Sequence, residues 1–475
     1  MITNPDFRSR FIKITIISLV FAAAWVLALF IPRIMENRSA LALYLFLAPI
    51  LLGAILVLLW KPTLGLVVLV AADLLVPFSI GTGSQTTLSV PVLLIPVLAG
   101  IGVLTWLTRR QPLHLFDART TWPLVSLIVI VLLAFVNGQL PWFDAAQRAP
   151  LTSQLGGAAL YIFSVLAFLL VGAQIQEIRW LKRLVWIFLG WGSVYIFSAL
   201  VPGAGNLLLR YVPQGITGAL FWTWLVAISF SQGVFNRRLK PVFRLLFVGA
   251  ACGALYIGLF RTAGWTSGWL PAVVAVLVIV WVGAPKVGLV LSAALGVGFI
   301  LFHQRFTGFL MGGDNTYSLE TRLAAWQILT EIVKASPILG FGPANYHFYT
   351  PLFPIMGYAV EFNSHNNYVD LVAQTGLLGL AAYLWFLGEA GRLGWSLRSR
   401  AAQGFERAYV YGAIGGLAGT AAAGMLGDWV IPFVYNIGFT GFRASMLAWL
   451  FLGGLVVLER IYHKYSSPTP AANLE

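Results

Sequence analysis

The sequence predicts an all-α polytopic membrane protein of about 14 transmembrane helices, with one large loop confined to a single side. Three observations predict it. Hydrophobic residues make up 59% of the 475 and charged residues only 10%, against roughly 25% charged in an average soluble domain. So little charge cannot cover a soluble globule of this size. The apolar residues come in runs of about 20, the length that crosses a bilayer, and the mean hydropathy is +0.85. Lysines and arginines are dense in alternate connections, as the positive-inside rule requires.

Taken in order, the apolar runs lie at 12–31, 41–59, 62–80, 88–107, 122–137, 155–174, 182–201, 214–233, 241–260, 266–283, 286–302, 366–388, 408–426 and 438–458. The first follows Arg8, Arg10 and Lys13, is long for a signal-peptide core and has no small-residue cleavage site after it, so it reads as a retained helix. With the N-terminus inside, 21 of the 30 lysines and arginines fall on inner segments and nine on outer ones. The outer acids cancel the outer cations, so the whole net charge of +14 belongs to the inner face. In a soluble chain such a charge would suggest nucleic acid; here it is an orientation signal, and it places both termini inside. The single cysteine, Cys252, excludes an internal disulfide and a cysteine-based zinc cluster.

The connections are short except for residues 303–364, an outer segment too long to be a passive turn. The chain therefore divides into a bundle of about 11 helices over 1–302, the large loop over 303–364, and about three helices with an inner tail over 365–475. Within the loop, residues 320–335 read as an amphipathic helix. Ser318 is its expected N-cap, and Glu320 suits the positive end of the helix dipole. Leu319, Leu323, Trp326, Thr330 and Val333 share one face, with Arg322 at its edge, a pattern that fits a helix lying on the membrane surface. Pro337 and the Gly340-Phe341-Gly342-Pro343 stretch end it.

The strongest local signal for chemistry is Asn363-Ser364-His365-Asn366-Asn367-Tyr368, directly before the apolar run. It places His365 and Asn366 in the first turn of a transmembrane helix, at the outer face. A helix N-terminus disfavours imidazolium, so His365 should stay neutral near pH 7, as a general base requires. A capping pair at the interface would look the same. Arg210, Arg261 and Arg322 are stranded on the outer side; converging on one histidine, they would suit a diphosphate, which guanidinium groups grip bidentately. Each could instead snorkel to lipid headgroups. Asp73 and Asp370 lie within spans, where acids are expensive. Asp73 would pair with an arginine, and Asp370 would orient His365 only loosely. Asn366, Asp370 and Gln374 recur every four residues and form a stripe that should face the bundle interior. No carboxylate pair, His/Cys cluster, nucleotide loop or nucleophile elbow has the required spacing, so neither a metal nor a cofactor is expected.

These residues resemble the O-antigen ligase and O-antigen polymerase superfamily. The resemblance is carried by Thr321-Arg322-Leu323-Ala324-Ala325-Trp326, Ser336-Pro337-Ile338-Leu339-Gly340-Phe341-Gly342-Pro343-Ala344-Asn345, His365-Asn366-Asn367-Tyr368-Val369 and Thr375-Gly376-Leu377-Leu378-Gly379. It implies a GT-C-like, inverting, metal-independent glycosyltransferase of the bacterial cytoplasmic (inner) membrane. Such an enzyme moves an oligosaccharide from an undecaprenyl-diphosphate carrier to an acceptor hydroxyl on the outer face. The acceptor is lipid A–core in ligases and a growing chain in polymerases. By the same resemblance His365 is the base and Arg322 binds the diphosphate, with Arg210 and Arg261 beside it and Asn366, Asp370 and Trp326 in support. Arg210 is followed by Gly215 and Gly218 but lacks the family's Asn-Pro-Asn. The stretch from Phe260 to Trp269 departs from the family's Ser-Arg-Gly around Arg261. The implied partners are the lipid-linked donor, a glycan or glycolipid acceptor and the bilayer, with no nucleic acid. The alternative is a transporter or flippase for lipid-linked saccharides, though the repeat symmetry common in transporters is missing.

Overall fold

In lipid, backbone polar groups must be satisfied within the segment, so apolar runs become helices. The computed structural model describes residues 58, 61–77, 79–81, 87–109, 118–201, 203, 212–213, 215–311 and 315–466. The runs expected at 12–31 and 41–59 lie outside these residues, apart from Leu58. The chain divides into two compact units, residues 1–65 with 100–110 and residues 66–99 with 111–475. The first contains, among the described residues, the opening of α1 (Pro62–Leu75) and the second half of α2 (Val90–Arg109).

The second unit holds the rest. A two-stranded antiparallel ribbon, β1 (Ser79–Gly81) and β2 (Thr87–Ser89), and an isolated bridge between Ile355 and Tyr358 are the β-structure among the described residues. There follow α3 (Thr121–Asn137), α4 (Leu151–Gln174), α5 (Ile178–Leu200), α6 (Ala219–Phe235) and α7 (Pro241–Tyr256), which ends in a π-turn at Ile257–Arg261. Next come α8 (Thr266–Gly283), α9 (Pro285–Met311), α10 (Asn315–Val333) and the single turn α11 (Tyr346–Tyr349). The chain closes with α12 (Asn367–Arg400), α13 (Phe405–Leu426) and α14 (Gly438–Ser466). Among the described residues nine helices are long and apolar enough to cross a membrane, and α1, α3 and α6 are shorter apolar helices. The protein is a polytopic, predominantly helical membrane protein.

Helix α14 is the axis of the bundle: its most apolar window is 100% buried, enclosed by α4, α5, α6, α12 and α13. Helix α9 is the opposite case, with 6% of its window buried. Close approach is bought by small residues, as is usual between membrane helices. A Cβ at Gly416 of α13 would stand 2.8 Å from the Trp224 ring of α6. Asp73 meets its expected arginine: Arg443, 2% exposed on α14, donates to the carbonyls of Asp73 and Val76 at 2.9 Å each. Its guanidinium lies 3.9 Å from the Asp73 carboxylate. This caps the free carbonyls that α1 leaves at its C-terminus.

The loop region differs from expectation in two ways. Helix α9 runs past residue 302 to Met311, bending at Phe302 (φ −121°, ψ 23°). Helix α10 begins at Asn315, so Ser318 lies inside it and is not its cap. Its buried face is Ala325, Leu329 and Ile332, while Leu319 and Leu323 are exposed. The cause is tertiary: α10 packs on α12, and Leu329 and Ile332 join a core with Phe341, Tyr346, Tyr349, Ala373 and Phe433. A helix that has a protein partner turns its face to that partner rather than to lipid. Arg322 is thereby carried inward from the edge.

The feature that holds this region is a break in α12. Gly376 has φ 69° and ψ −173°, which interrupts the helix. The carbonyls of Ala373 and Gln374, freed by the break, accept from the amides of Phe341 and Gly342 at 2.9 Å each. The amides of Leu377 and Leu378 donate to the carbonyls of Pro337 and Ile338 at 2.8 and 3.3 Å. The segment after α10 thus supplies the hydrogen bonds that the broken helix lost. A Cβ on Gly376 would lie 2.0 Å from the Ile338 carbonyl oxygen, and one on Gly340 (φ 64°) would lie 2.7 Å from the Gln374 backbone. Gly376→Ala should therefore combine backbone strain of about 1–3 kcal/mol with overpacking of similar size. Gly388→Ala on the same helix, which meets no atom within 4 Å, should be neutral or stabilising by up to about 1 kcal/mol. Thermal unfolding of the two variants in detergent checks this pair; equal midpoints would contradict it.

Candidate functional site

The side chains around His365 are positioned by the start of α12. Asn366 is the N-cap: its side-chain oxygen accepts from the amides of Tyr368 and Val369 at 2.9 and 3.4 Å. His365 precedes the cap, with φ 47°, so neither residue is in the first helical turn. The chain needs the cap residue extended, and this pushes the tight bend back onto His365. The bend is held from both sides. The Ser364 hydroxyl accepts from the Asn366 amide at 3.0 Å and donates to Asp370 at 2.7 Å. Trp326 on α10 donates its indole N–H to the Ser364 carbonyl at 2.7 Å.

Asp370 is 1% exposed and sits beneath this bend. The Tyr346 hydroxyl donates to it at 2.6 Å, and Ser364 donates to the same oxygen. Its bonds thus reach the backbone that carries His365, not the imidazole. Asn366, Asp370 and Gln374 are all buried, so the stripe faces the interior. The Gln374 side-chain oxygen accepts from the Ala344 amide at 3.1 Å.

The carboxylate linked to the imidazole is Asp428, on the connection between α13 and α14. Asp428 accepts from the Phe433 amide at 2.9 Å and from the Asn436 side-chain amide at 2.7 Å. The same Asn436 nitrogen lies 3.5 Å from His365 Nδ1. Asn367 ties the two segments together: it accepts from the Val430 amide and donates to the Ile431 carbonyl, both at 2.7 Å.

Arg322 and His365 line one cleft of about 330 Å³, together with Glu361, Asn363, Tyr435 and Asn436. Arg322 is half-buried and donates to the Leu426 carbonyl at 3.2 Å. Burial pulls its pKa down, and the facing Asp428 carboxylate opposes that. Burial also lowers the pKa of His365 from its ordinary 6.5, and the Arg322 charge adds to the effect. Burial raises the pKa of Asp428, against the hydrogen bonds from Phe433 and Asn436. The far wall carries His347, whose ring stacks on Tyr435 at 4.8 Å and lies 3.4 Å from Glu361.

Of the sequence-derived candidates, the fold brings together His365, Arg322, Trp326, Asn366 and Asp370. Arg261 does not join them: it is exposed at the end of the π-turn and donates to the Ala199 carbonyl. Extending α7 by that turn directs its side chain to α5 instead of the cleft. Arg210 lies outside the described residues. The sequence did not single out Asp428, Asn436, Tyr346 or Glu361, and His347 showed no partner there. The one visible trace was Asp428 itself, an acid between two apolar runs.

What these features define is a helical membrane protein with a cleft at one end of its bundle that carries an arginine and a histidine side by side. The family model described as O-antigen ligase matches residues 251–384. That span takes in Arg322, Trp326, the break at Gly376 and His365, so the part of the chain that carries the cleft is similar to the O-antigen ligase family. No curated protein matches the chain. Replacing the cap by Asn366→Ala should cost about 1 kcal/mol, while Asn366→Asp should keep most of it. Comparison of the unfolding midpoints decides; an Ala variant as stable as the Asp variant would deny the cap its weight.

Proposed function

We propose that this protein is a polyprenyl-diphosphate-dependent glycosyltransferase, an O-antigen ligase or polymerase by reaction. On this proposal it lies in the bacterial cytoplasmic membrane with both termini inside and the cleft facing out. The observation that carries the proposal is the shared cleft of Arg322 and His365, drawn from separate elements and both inside the O-antigen ligase match.

The reaction uses these groups as follows. The acceptor hydroxyl loses its proton to His365 as its oxygen attacks the anomeric carbon. The bond from that carbon to the diphosphate breaks on the opposite face, inverting the configuration, and the electron pair leaves with the diphosphate. Arg322 meets the charge that develops there; a fixed guanidinium in a site partly shielded from water is well suited to that. Arg210 is the proposed second cation, to be tested by its own substitution.

Asn436 sets a condition on the base. While its side-chain N–H groups face both Asp428 and His365 Nδ1, the ring hydrogen belongs on Nε2. For Nε2 to accept a proton, Nδ1 must carry the hydrogen and Asn436 must turn its carbonyl inward. That carbonyl can face Asp428 only when the carboxyl is protonated, a form that burial favours. His365, Asn436 and Asp428 therefore act as one unit, in which a proton on Asp428 prepares the imidazole.

His365→Ala should remain folded and lose transfer from a purified lipid-linked donor by about 10²–10⁴-fold. Mass spectrometry of the acceptor measures it, and normal turnover by the variant would remove His365 from the mechanism. The depressed pKa of His365 fixes the direction of the pH dependence. A base must be neutral, and a lowered pKa keeps it neutral further into acid. The acidic limb of the rate should therefore lie below pH 6.5, and loss of the Asp428 proton should lower the rate on the alkaline side. An acidic limb at or above pH 6.5 in the kcat profile would contradict the assignment.

A further inference from the structure

At the end of the bundle away from the cleft, the chain gathers cations that no acid balances. The Arg322–His365 cleft lies where α12 begins and α13 ends, so Arg400 at the close of α12 and Phe405 at the opening of α13 mark the opposite end. The start of α5 and the connection between α6 and α7 meet Phe405 there. Lys182 of α5 holds its ammonium 5.5 Å from the centre of the Phe405 ring. The stem of Arg238 lies across Gly404, where a Cβ would stand 2.7 Å from its Cδ. Gly404 has φ 105°, so the bend that lets the arginine approach also needs glycine. Both cations thus flank one residue pair at the opening of α13.

Among the described residues no ion pair reaches Lys182, Arg183, Arg237, Arg238 or Lys240. The acids of this end are engaged elsewhere. Glu177 pairs with Arg179 at 2.6 Å, Glu389 pairs with Arg392 at 3.0 Å, and Glu406 accepts from the Tyr462 hydroxyl. The charged surface continues directly into an apolar one. Helix α7 opens at Pro241, immediately after Lys240, and its Val242, Phe243, Leu245 and Leu246 are between 49% and 74% exposed. Aromatic rings join the two surfaces: Trp186, one turn past Lys182, stacks on Phe247 of α7 at 5.6 Å and meets Phe405 edge-on at 5.4 Å. The connection is fixed in place. Arg244 donates to the Gly233 and Val234 carbonyls at 3.0 and 3.1 Å, and Gln232 donates to the Phe405 carbonyl at 3.1 Å.

We infer that this surface binds an anionic phospholipid, with the phosphate between Lys182 and Arg238 and the acyl chains along the exposed face of α7. Helix α7 with its π-turn is long and apolar enough to cross a membrane, so cations at its opening stand level with lipid headgroups. An amphiphile meets both halves of the surface at once. A nucleic acid or an acidic protein segment would meet the cations but not Trp186 and the apolar face beside them. A zwitterionic lipid would bring its ammonium group to a surface whose carboxylates are already engaged. Each cation near a membrane surface adds to the affinity for an anionic headgroup, and side chains already held in place lose less freedom on binding. The assignment draws on neither Arg322 nor His365 and stands apart from the transferase proposal.

Native mass spectrometry of the full-length protein in a nonionic detergent tests this with dioleoylphosphatidylglycerol, dioleoylphosphatidylethanolamine and glycerol 3-phosphate as probes. The phosphatidylglycerol should bind more tightly than the other two. Lys182→Gln and Arg238→Gln should each weaken it about fivefold, the effect of one cation lost at a membrane surface. The exchange of Lys182→Arg with Arg238→Lys keeps both charges and should keep the binding, which separates lost charge from a damaged fold. Arg398→Gln with Arg400→Gln removes two charges from the close of α12, where Arg398 lies over the Trp395 ring, and should leave the affinity unchanged. Equal affinity for the two lipids, or binding of glycerol 3-phosphate as tight as that of the lipid, overturns the site. So does an equal loss from both pairs of Gln substitutions, because the attraction then belongs to the charged face as a whole.

Discussion

The structure at this end of the bundle depends on the exchange of backbone hydrogen bonds between the broken helix α12 and the segment at 337–342. A helix interrupted within a membrane protein leaves carbonyls and amides that lipid cannot satisfy. Here both sets are taken up by one neighbouring segment, through four backbone hydrogen bonds. Its continuation through Tyr346 braces Asp370 and the bend at Ser364. His365 is held in its left-handed conformation by bonds that lead back, within two or three residues, to that exchange.

The helices were legible because membrane burial writes itself in composition: each apolar run within the described residues appears as a helix, and nine of those helices are long and apolar enough to cross a membrane. The interior orientation of Asn366, Asp370 and Gln374 was legible for the same reason, since a polar stripe on an apolar helix has one place to go. The face buried by α10 was not. Its leucines at 319 and 323 mark a stripe, but the neighbour that decides which side is covered is a helix elsewhere in the chain. Asp428 and Asn436 were hidden for a related reason. They are ordinary loop residues until Asn367 draws their segment against His365. The glycines at 340 and 376 were readable as a pattern, and their reason emerges only when two backbones are seen in contact.

The electrostatics of the cleft follow from burial more than from any single pair. Arg322 and His365 are both pushed away from their charged forms by burial, and the Arg322 charge further disfavours a charge on His365. Asp428 offsets the arginine and, through Asn436, reaches the imidazole. A cation is thereby kept beside a neutral histidine, a combination that water would otherwise level. Through these contacts Asn436 joins the Asp428 carboxyl to the His365 imidazole.

The clamp that Asn345 places on the connection between α3 and α4 has a bearing on how such a protein can diversify. It grips Gly138 and Ala149 at the ends of that connection, while the side chains between them at 144, 147 and 148 line a cavity of about 670 Å³. Exchanges at those three positions leave the clamp, the broken helix and the histidine bend in place. The fold thus separates a part that tolerates drift from a part that does not.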